Sequence, residues 1–247
     1  MISRINDLTP GLEAVSDSKI QITSASIDQT YRIREKLTFK DSESLKKHLN
    51  VTLLKLREWQ PRYDFSLWNQ VEVYFYKIWP TLKADMRLAI ENNLYKEVKS
   101  LFLEVRNLLQ WTGEINSRIY YASWLRKEAI KREDVGTQCI AVSSLTWSFT
   151  SSGHQRNLAK ANYYLKELEH LLLSKSDCDA YKDLHLSLRA SLGNDLYAEL
   201  MMDAHENAVR VQIRNRDLSQ AKLCIDRGTL VVESLFNRML ISPRLKE

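Results

Sequence analysis

The feature that most limits the possible folds of this chain is a long stretch without proline. No proline occurs between Pro80 and Pro243. A proline inside a helix costs about 3 kcal/mol, so a stretch that avoids it suits one helix after another. The same stretch has no Asn-Gly or Asp-Gly pair of the kind that forms short β-hairpin turns. The sequence therefore predicts an all-α protein.

The clearest unit in this stretch is a helical hairpin over residues 136–173. In its first half, apolar residues recur at steps of three and four, as on one face of a helix: Cys139, Val142, Leu145 and Phe149. The second half repeats the pattern with Leu158, Ala161, Leu165, Leu168 and Leu172. Between them lie Ser151, Ser152 and Gly153, and glycine readily takes the left-handed conformation that ends helices. Two such stripes bury each other and leave surface for a neighbour, as in stacked repeats.

Similar hairpins precede and follow this unit. Residues 94–109 predict one helix, residues 111–113 a break, and residues 115–129 the returning helix. Residues 179–214 predict a long helical stretch interrupted at residues 193–195. The last helix is predicted within residues 216–236. Five of its apolar residues are predicted to point inward: Leu218, Ala221, Ile225, Val232 and Phe236.

The chain before these hairpins divides into two regions. Residues 1–40 show no sustained period, which indicates a flexible arm or an irregular lid, and residues 41–92 predict an N-terminal helical region. Residues 62–80 are the most aromatic stretch and predict a helix. Pro80 either ends this helix or begins the next one. The aromatic residues are either a platform for stacked bases or a core seam, which we favour. Residues 93–241 are then the repeat region and residues 242–247 a tail.

Cysteine content and charge indicate the compartment and exclude some classes of protein. The three cysteines are odd in number and form no Cys-x-x-Cys pair, which favours a reducing compartment. No signal-peptide pattern and no run of 18 apolar residues is present, so we expect a cytoplasmic protein without a membrane partner. The net charge of +5 comes from well-mixed basic and acidic residues, which is typical of a solvated surface.

Two segments resemble the tetratricopeptide repeat, a helix-turn-helix unit. They are WSFTSSG at 147–153, where an aromatic pair and a glycine end a first helix, and RDLSQAKLCI at 216–225, where a leucine and a small alanine open a second helix. Residues 133–136, EDVG, resemble the turn between helical repeats that follow the ATPase domain in large bacterial signalling NTPases. The resemblance implies antiparallel hairpins stacked into a right-handed superhelix, with the N-terminal helices as a cap.

No signature of enzyme chemistry occurs in the sequence. It contains neither HExxH nor GxxxxGK[ST], and no histidine and cysteine residues stand at zinc-ligand spacing. The five histidines are interpreted as exposed helix residues. We therefore expect a protein that is not an enzyme and that holds no cofactor and no metal.

The resemblance also implies a binding groove, because the first helices of tetratricopeptide hairpins line a concave surface. Aligning the turns places eight residues in that groove: Asn107, Gln110, Trp111, Ser143, Trp147, Thr150, Arg210 and Arg214. The alternative is that the two tryptophans pack between hairpins and that the arginines pair with Asp203 or Glu206 along their own helix.

These observations favour a protein-protein interaction module, such as an adaptor, a sensor or a docking subunit. Two arginines at a spacing of four suit a partner with an acidic segment. The other hypothesis is a nucleic-acid-binding helical protein that uses five basic residues: Arg118, Arg126, Lys127, Lys131 and Arg132.

Overall fold

The computed structural model describes residues 42–59, 68–151, 157–173 and 179–237. These residues contain nine α-helices: α1 Ser42–Trp59, α2 Trp68–Glu91, α3 Tyr95–Trp111, α4 Ile115–Lys131, α5 Val135–Thr150, α6 Leu158–Leu168, α7 Asp179–Leu192, α8 Asn194–Arg214 and α9 Leu218–Asn237. A π-helical turn, Glu169–Leu173, continues α6. Within the described ranges there is no strand, so the all-α prediction is confirmed there. The arm at 1–40 and the tail at 242–247 lie outside the described residues.

The chain divides into two compact units, Met1–Glu104 and Val105–Glu247. The division falls within α3. The sequence places a domain boundary between residues 92 and 93 instead, and that boundary stays a prediction. In the part of the chain that the structure describes, no helix is long and apolar enough to cross a membrane.

The first unit buries one face of α1 and one face of α2. Leucines at helical spacing form the buried face of α1: Leu45, Leu49 and Leu56. On α2 the Phe75 and Trp79 rings stack with centroids 5.2 Å apart, and both side chains are buried. The core interpretation of the aromatic stretch is therefore confirmed for these two rings.

Pro80 lies inside α2, so the prediction that it closes or opens a helix is wrong. Proline has no backbone N–H, and the carbonyl of Tyr76 four residues earlier loses its helical hydrogen bond. The cost is about 3 kcal/mol. Large buried side chains lie on both sides of the proline, and each contributes about 1.5–3 kcal/mol: Phe75, Trp79, Leu82 and Met86. This burial offsets the lost bond and keeps the helix continuous.

Four helix connections share one short turn with a single left-handed residue. That residue is Asn93 (φ 54°) before α3, Gly113 (φ 76°) before α4, Glu133 (φ 56°) before α5 and Arg216 (φ 64°) before α9. Only one of the four is glycine, the residue for which this conformation carries no steric cost. Two of the turns end in an aspartate that caps the next helix. Asp134 accepts from the Thr137 N–H at 3.0 Å, and Asp217 accepts from the Gln220 N–H at 2.9 Å.

In the second unit, consecutive helices pack against one another, as expected for a helical repeat fold. α5 packs between α4 and α6, and α8 packs on α5, α6 and α9. The predicted hairpin of α5 and α6 is confirmed, with Ala161, Leu165, Leu168 and Leu172 all buried. The break before α8 also lies where the sequence predicts it, at Gly193 with φ 82°.

The last helix, α9, packs through small residues. Ala221 and Cys224 are buried, and a Cβ added at Gly228 would lie 3.2 Å from the His205 Cβ on α8. Leu218 and Ile225, predicted to point inward, are instead 70% and 50% exposed. The close approach of α8 and α9 requires small side chains, so the large apolar ones point elsewhere. The side chains of Val232 and Phe236 lie outside the described residues.

Candidate functional site

The eight predicted groove residues fall into three classes of exposure. Ser143 and Thr150 are buried, at 2% and 3% exposed. Asn107, Gln110 and Trp147 are half-buried. Trp111 is 42% exposed, and Arg210 and Arg214 are exposed. The predicted set therefore runs from the interior of the second unit to its surface.

At the interior end, Arg106 of α3 forms a buried ion-pair cluster with α8. Its guanidinium contacts Glu199 Oε1 at 2.6 Å and donates to Asp203 Oδ2 at 3.2 Å. The Arg106 side chain is 2% exposed, whereas the two carboxylates are about a third exposed. Burial lowers the pKa of Arg106, but the two carboxylates outweigh this effect and the pKa is raised overall. The cluster fixes α8 against the face of α3 on which the groove was predicted.

Two of the predicted groove residues bond to α8 beside this cluster. The Asn107 amide donates to Glu199 Oε1 at 3.2 Å. The Asn207 amide donates to both the carbonyl and the hydroxyl oxygen of Ser143, at 3.1 and 3.0 Å, in a fully buried contact. In this region, α8 occupies the surface that a partner segment was predicted to contact.

Arg118 of α4 connects two other predicted residues. It donates through Nη1 to Gln110 Oε1 at 2.5 Å, and its Cζ lies 4.7 Å from the centroid of the Trp147 ring. The residue is 3% exposed. Burial and the nearby Arg106 lower the pKa of Arg118 to about 9, with Asp203 acting in the opposite direction. The structure thus brings Gln110 and Trp147 together on one buried arginine that carries a positive charge at neutral pH.

At the surface end, Arg210 pairs with Glu206 along α8, as the sequence-based alternative predicts. Nη2 and Nε of Arg210 lie 2.5 and 2.8 Å from Glu206 Oε1, and both side chains are about half exposed. Asp203, the other predicted acidic neighbour, pairs with Arg106 instead. Among the described residues, no bonded partner of Arg214 is found.

The end of α8 is tied to α6 by two amide side chains. Asn215 donates to Asn162 Oδ1 at 2.9 Å, and Asn162 donates back to Asn215 Oδ1 at 3.3 Å. The reciprocal bonds hold the last turn of α8, which carries Arg214, in place on the second unit.

Three hydroxyl groups in the second half of α5 bond within their own helix. Thr146, Ser148 and Thr150 each donate to the carbonyl four residues earlier, at 2.9, 2.7 and 2.6 Å. A buried hydroxyl is satisfied in this way without a partner from another helix. Thr150 therefore uses its only donor internally.

Most of the basic residues of the nucleic-acid hypothesis are engaged with carboxylates. Arg126 donates bidentately to Glu167, with distances of 2.8 to 3.0 Å. Lys131 pairs with Glu128 at 2.6 Å, and Arg132 pairs with the same carboxylate. Arg118 is buried, so of the five candidates Lys127 alone is both exposed and without such a contact among the described residues.

The histidines are more buried than the sequence predicted. His205 is 9% exposed, and burial, with Arg227 nearby, lowers its pKa. His48 bonds to Asp85 at 2.9 Å and His185 to Tyr197 at 2.6 Å, whereas His170 is exposed as expected. His154 lies outside the described residues.

Metal-ligand and cysteine chemistry add no site within the described ranges. No group of three or more histidine, cysteine, aspartate or glutamate side chains there has metal-binding geometry. Cys139, on the predicted apolar stripe, is free and buried, and so is Cys224. Burial, with Glu167 adding to it, raises the pKa of the Cys139 thiol to about 12.

Sequence reasoning missed four members of the polar cluster: Arg106, Glu199, Asp203 and Asn207. A usable signal was present. Arg106 lies four residues after the buried Phe102, and Arg118 lies four residues before the buried Ala122, so both interrupt apolar stripes. A charged residue on an apolar stripe indicates a buried polar contact, because an unpaired charge there is costly.

Comparisons of the chain with protein-family models, with curated proteins and with solved structures found no match.

Proposed function

We propose that this chain is a protein-protein interaction module, an adaptor, sensor or docking subunit without catalytic activity, built from tetratricopeptide-like hairpins. The repeated short turns support the hairpin architecture, because each one reverses the chain with one left-handed residue. Successive hairpins of this kind form elongated binding surfaces in repeat proteins. In this proposal the hairpins stack into a right-handed superhelix.

The observation that carries the proposal is the exposed pair of arginines at the end of α8. Arg210 and Arg214 are four residues apart and therefore share one helix face. Among the described residues, the side chain of Arg210 is held only by an exposed pair with Glu206, and such pairs are worth about 0.3–0.5 kcal/mol. A partner carboxylate can displace so weak a contact, and an acidic segment fits two adjacent guanidinium groups.

The contacts of α8 change the shape of the proposed surface. Ser143 and Thr150 bond internally, and Asn107 bonds to Glu199, so these three residues support the surface from beneath. The other five residues, each half-buried or exposed, remain for contact with a partner: Gln110, Trp111, Trp147, Arg210 and Arg214.

Nucleic-acid binding is the less favoured proposal. Nucleic-acid affinity depends on cations that are available to phosphate groups, and Arg126, Lys131 and Arg132 are paired with carboxylates.

The test is selection of peptides from a random library, followed by affinity measurements on a charge-reversed variant. We expect acidic peptides to be selected. Arg210→Glu with Arg214→Glu should weaken their binding at least about tenfold, which corresponds to about 1.4 kcal/mol. The control is Lys127→Glu with Lys222→Glu, which changes the net charge equally at two exposed positions and should leave affinity nearly unchanged.

Circular dichroism on the same variants separates binding from folding. Surface substitutions change stability by about 0.5 kcal/mol or less, so both double variants should stay helical. Full binding by a folded Arg210→Glu, Arg214→Glu variant would contradict the proposal, as would selection of peptides without acidic residues.

A further inference from the structure

Arg118 is a buried arginine that has no carboxylate partner among the residues that the structure describes. It is 3% exposed, and its Nη1 donates to the neutral amide oxygen of Gln110 at 2.5 Å. Its Nε has no acceptor among the described residues. Arginine carries five N–H donors in a planar fork that suits a carboxylate, and here only part of that fork is used within the described chain.

Two other arginines in the second unit have carboxylate partners within the described chain. Arg106 is equally buried and contacts two carboxylates, Glu199 and Asp203. Arg126 is less buried and still binds Glu167 bidentately. Burial of a charge without an ionic partner is unfavourable. For Arg118 the compensation is limited to the face of Trp147 and the more distant charge of Asp203.

We propose that Arg118 is a carboxylate-binding group of the interaction surface, where a carboxylate of a partner's acidic segment takes the place of the Gln110 amide oxygen. This inference rests on the proposed interaction function and adds a second contact point to the one at Arg210 and Arg214. Trp147 lies against the guanidinium and holds it in place for the incoming group.

The position of Gln110 allows a partner's carboxylate to reach Arg118 once Gln110 is displaced. Gln110 is half-buried in the last turn of α3, next to Trp111, which is 42% exposed. Apart from its bond to Arg118, the Gln110 side chain has no hydrogen bond to another described residue. Displacing it exchanges a hydrogen bond to a neutral amide for an ion pair with a carboxylate, which can accept from two donors of the guanidinium fork at once.

The charges around Arg118 favour a carboxylate over a phosphate. Asp203 acts on Arg118 from nearby, and Glu199 lies on the same cluster around Arg106. Together with the positive charge of Arg106, these two carboxylates leave the cluster with a net negative charge. This charge repels a phosphate more than a carboxylate, because a phosphate carries more charge at neutral pH. A single carboxylate matches the single positive charge of the Arg118 guanidinium.

The first experiment observes Arg118 directly in the full chain. The arginine Nε–Hε signals are recorded by ¹⁵N NMR while an oligo-glutamate peptide is added, and the Arg118 signal is assigned by its loss in Arg118→Lys. We expect this signal to shift with oligo-glutamate and not with oligo-glutamine. No shift of the Arg118 signal with oligo-glutamate would overturn the inference, as would tighter binding of polyphosphate than of oligo-glutamate.

The second experiment supplies the carboxylate from within the protein. In Gln110→Glu the side chain at position 110 can pair with Arg118, so we expect a higher melting temperature and at least about tenfold weaker binding of oligo-glutamate. In Gln110→Ala the guanidinium is uncovered and binding should persist or strengthen. Lys127→Gln, which removes one exposed positive charge from the same helix, is the control and should bind as the original chain does.

The variants also separate this inference from the proposed function. If Arg118→Lys does not fold, Gln110→Glu still gives the answer, because it retains the arginine. Equal binding by Gln110→Glu and the original chain would overturn the role of Arg118. If Gln110→Glu binds as the original chain does and the Arg210→Glu, Arg214→Glu variant loses binding, the proposed function is supported and the role of Arg118 is not.

Discussion

Arg106 on α3 donates to Asp203 on α8 at 3.2 Å, and this contact joins helices whose bonded residues are 97 positions apart in the chain. The same guanidinium contacts Glu199 one turn earlier on α8. Arg106 is buried, whereas the two carboxylates are partly exposed. Removing Arg106 leaves two negative charges without the cation that they share.

Replacing Arg106 should therefore destabilise the second unit. For Arg106→Met we expect a loss of about 2 to 4 kcal/mol, since removal of one partner from a buried pair is strongly destabilising and the remaining carboxylates keep some contact with water. Urea unfolding followed by circular dichroism measures the change. Arg210→Met, which breaks an exposed pair on α8, is the control and should cost about 0.5 kcal/mol or less. Equal losses in the two variants would show that the cluster contributes no more than a surface pair.

The close contact between α5 and α6 can be tested at Ala161. This alanine is fully buried, whereas Ala159 two residues earlier is exposed on the same helix. Ala161→Phe overpacks the contact and should cost about 1 to 3 kcal/mol. Ala159→Phe introduces the same side chain at the surface and should change stability by about 0.5 kcal/mol or less. Thermal unfolding of both variants gives the comparison, and an unchanged melting temperature for Ala161→Phe would mean that the helices pair differently.

The buried histidine on α8 predicts a loss of stability in acid. Burial and Arg227 hold the pKa of His205 below its usual 6.5. As the pH falls below about 6.5, the unfolded chain binds a proton at this histidine and the folded chain does not. The free energy of unfolding therefore decreases until the pH reaches the lower pKa of the folded state. His185, whose pKa is also lowered by burial, contributes in the same direction.

His205→Gln removes one of these two contributions. The free energy of unfolding should fall less steeply with decreasing pH in this variant than in the original chain, in denaturant titrations at a series of pH values. The slope is the readout, because the substitution also changes packing. His170→Gln, at an exposed position, is the control. An unchanged slope in His205→Gln would place the acid sensitivity elsewhere.

The limits of most helices could be predicted from local chemistry. Gly113 and Gly193 stand at left-handed positions, and each ends a run of apolar residues at helical spacing. Asn93 carries a weaker signal, because asparagine adopts the left-handed conformation more easily than most residues. Glu133 and Arg216 carry none, because they adopt it only where packing of the flanking helices outweighs the steric cost. Pro80 misled the prediction for the same reason, since burial on both sides of it exceeded the cost of one lost hydrogen bond.

The inward face of α9 was decided by its neighbour. Leu218 and Ile225 have the greater hydrophobicity, yet Ala221, Cys224 and Gly228 face α8. Hydrophobicity alone favours the large residues, but the distance between two helices determines which side-chain sizes fit between them. That distance is a property of the packed structure and is not encoded in the periodicity of one helix.

The sequence by itself determined the fold class, because a period of three and four residues is a local property that fits helices and not strands. The long stretch without proline allowed such helices to follow one another. It also placed Gln110, Trp147, Arg210 and Arg214 on helices as candidate contact residues. Only the tertiary structure decided that Arg118 is buried between Gln110 and Trp147 while Arg210 stays exposed. The physical reason is that burial and pairing depend on which helices meet, and α8 meets α3 and α5 through contacts between residues far apart in the chain.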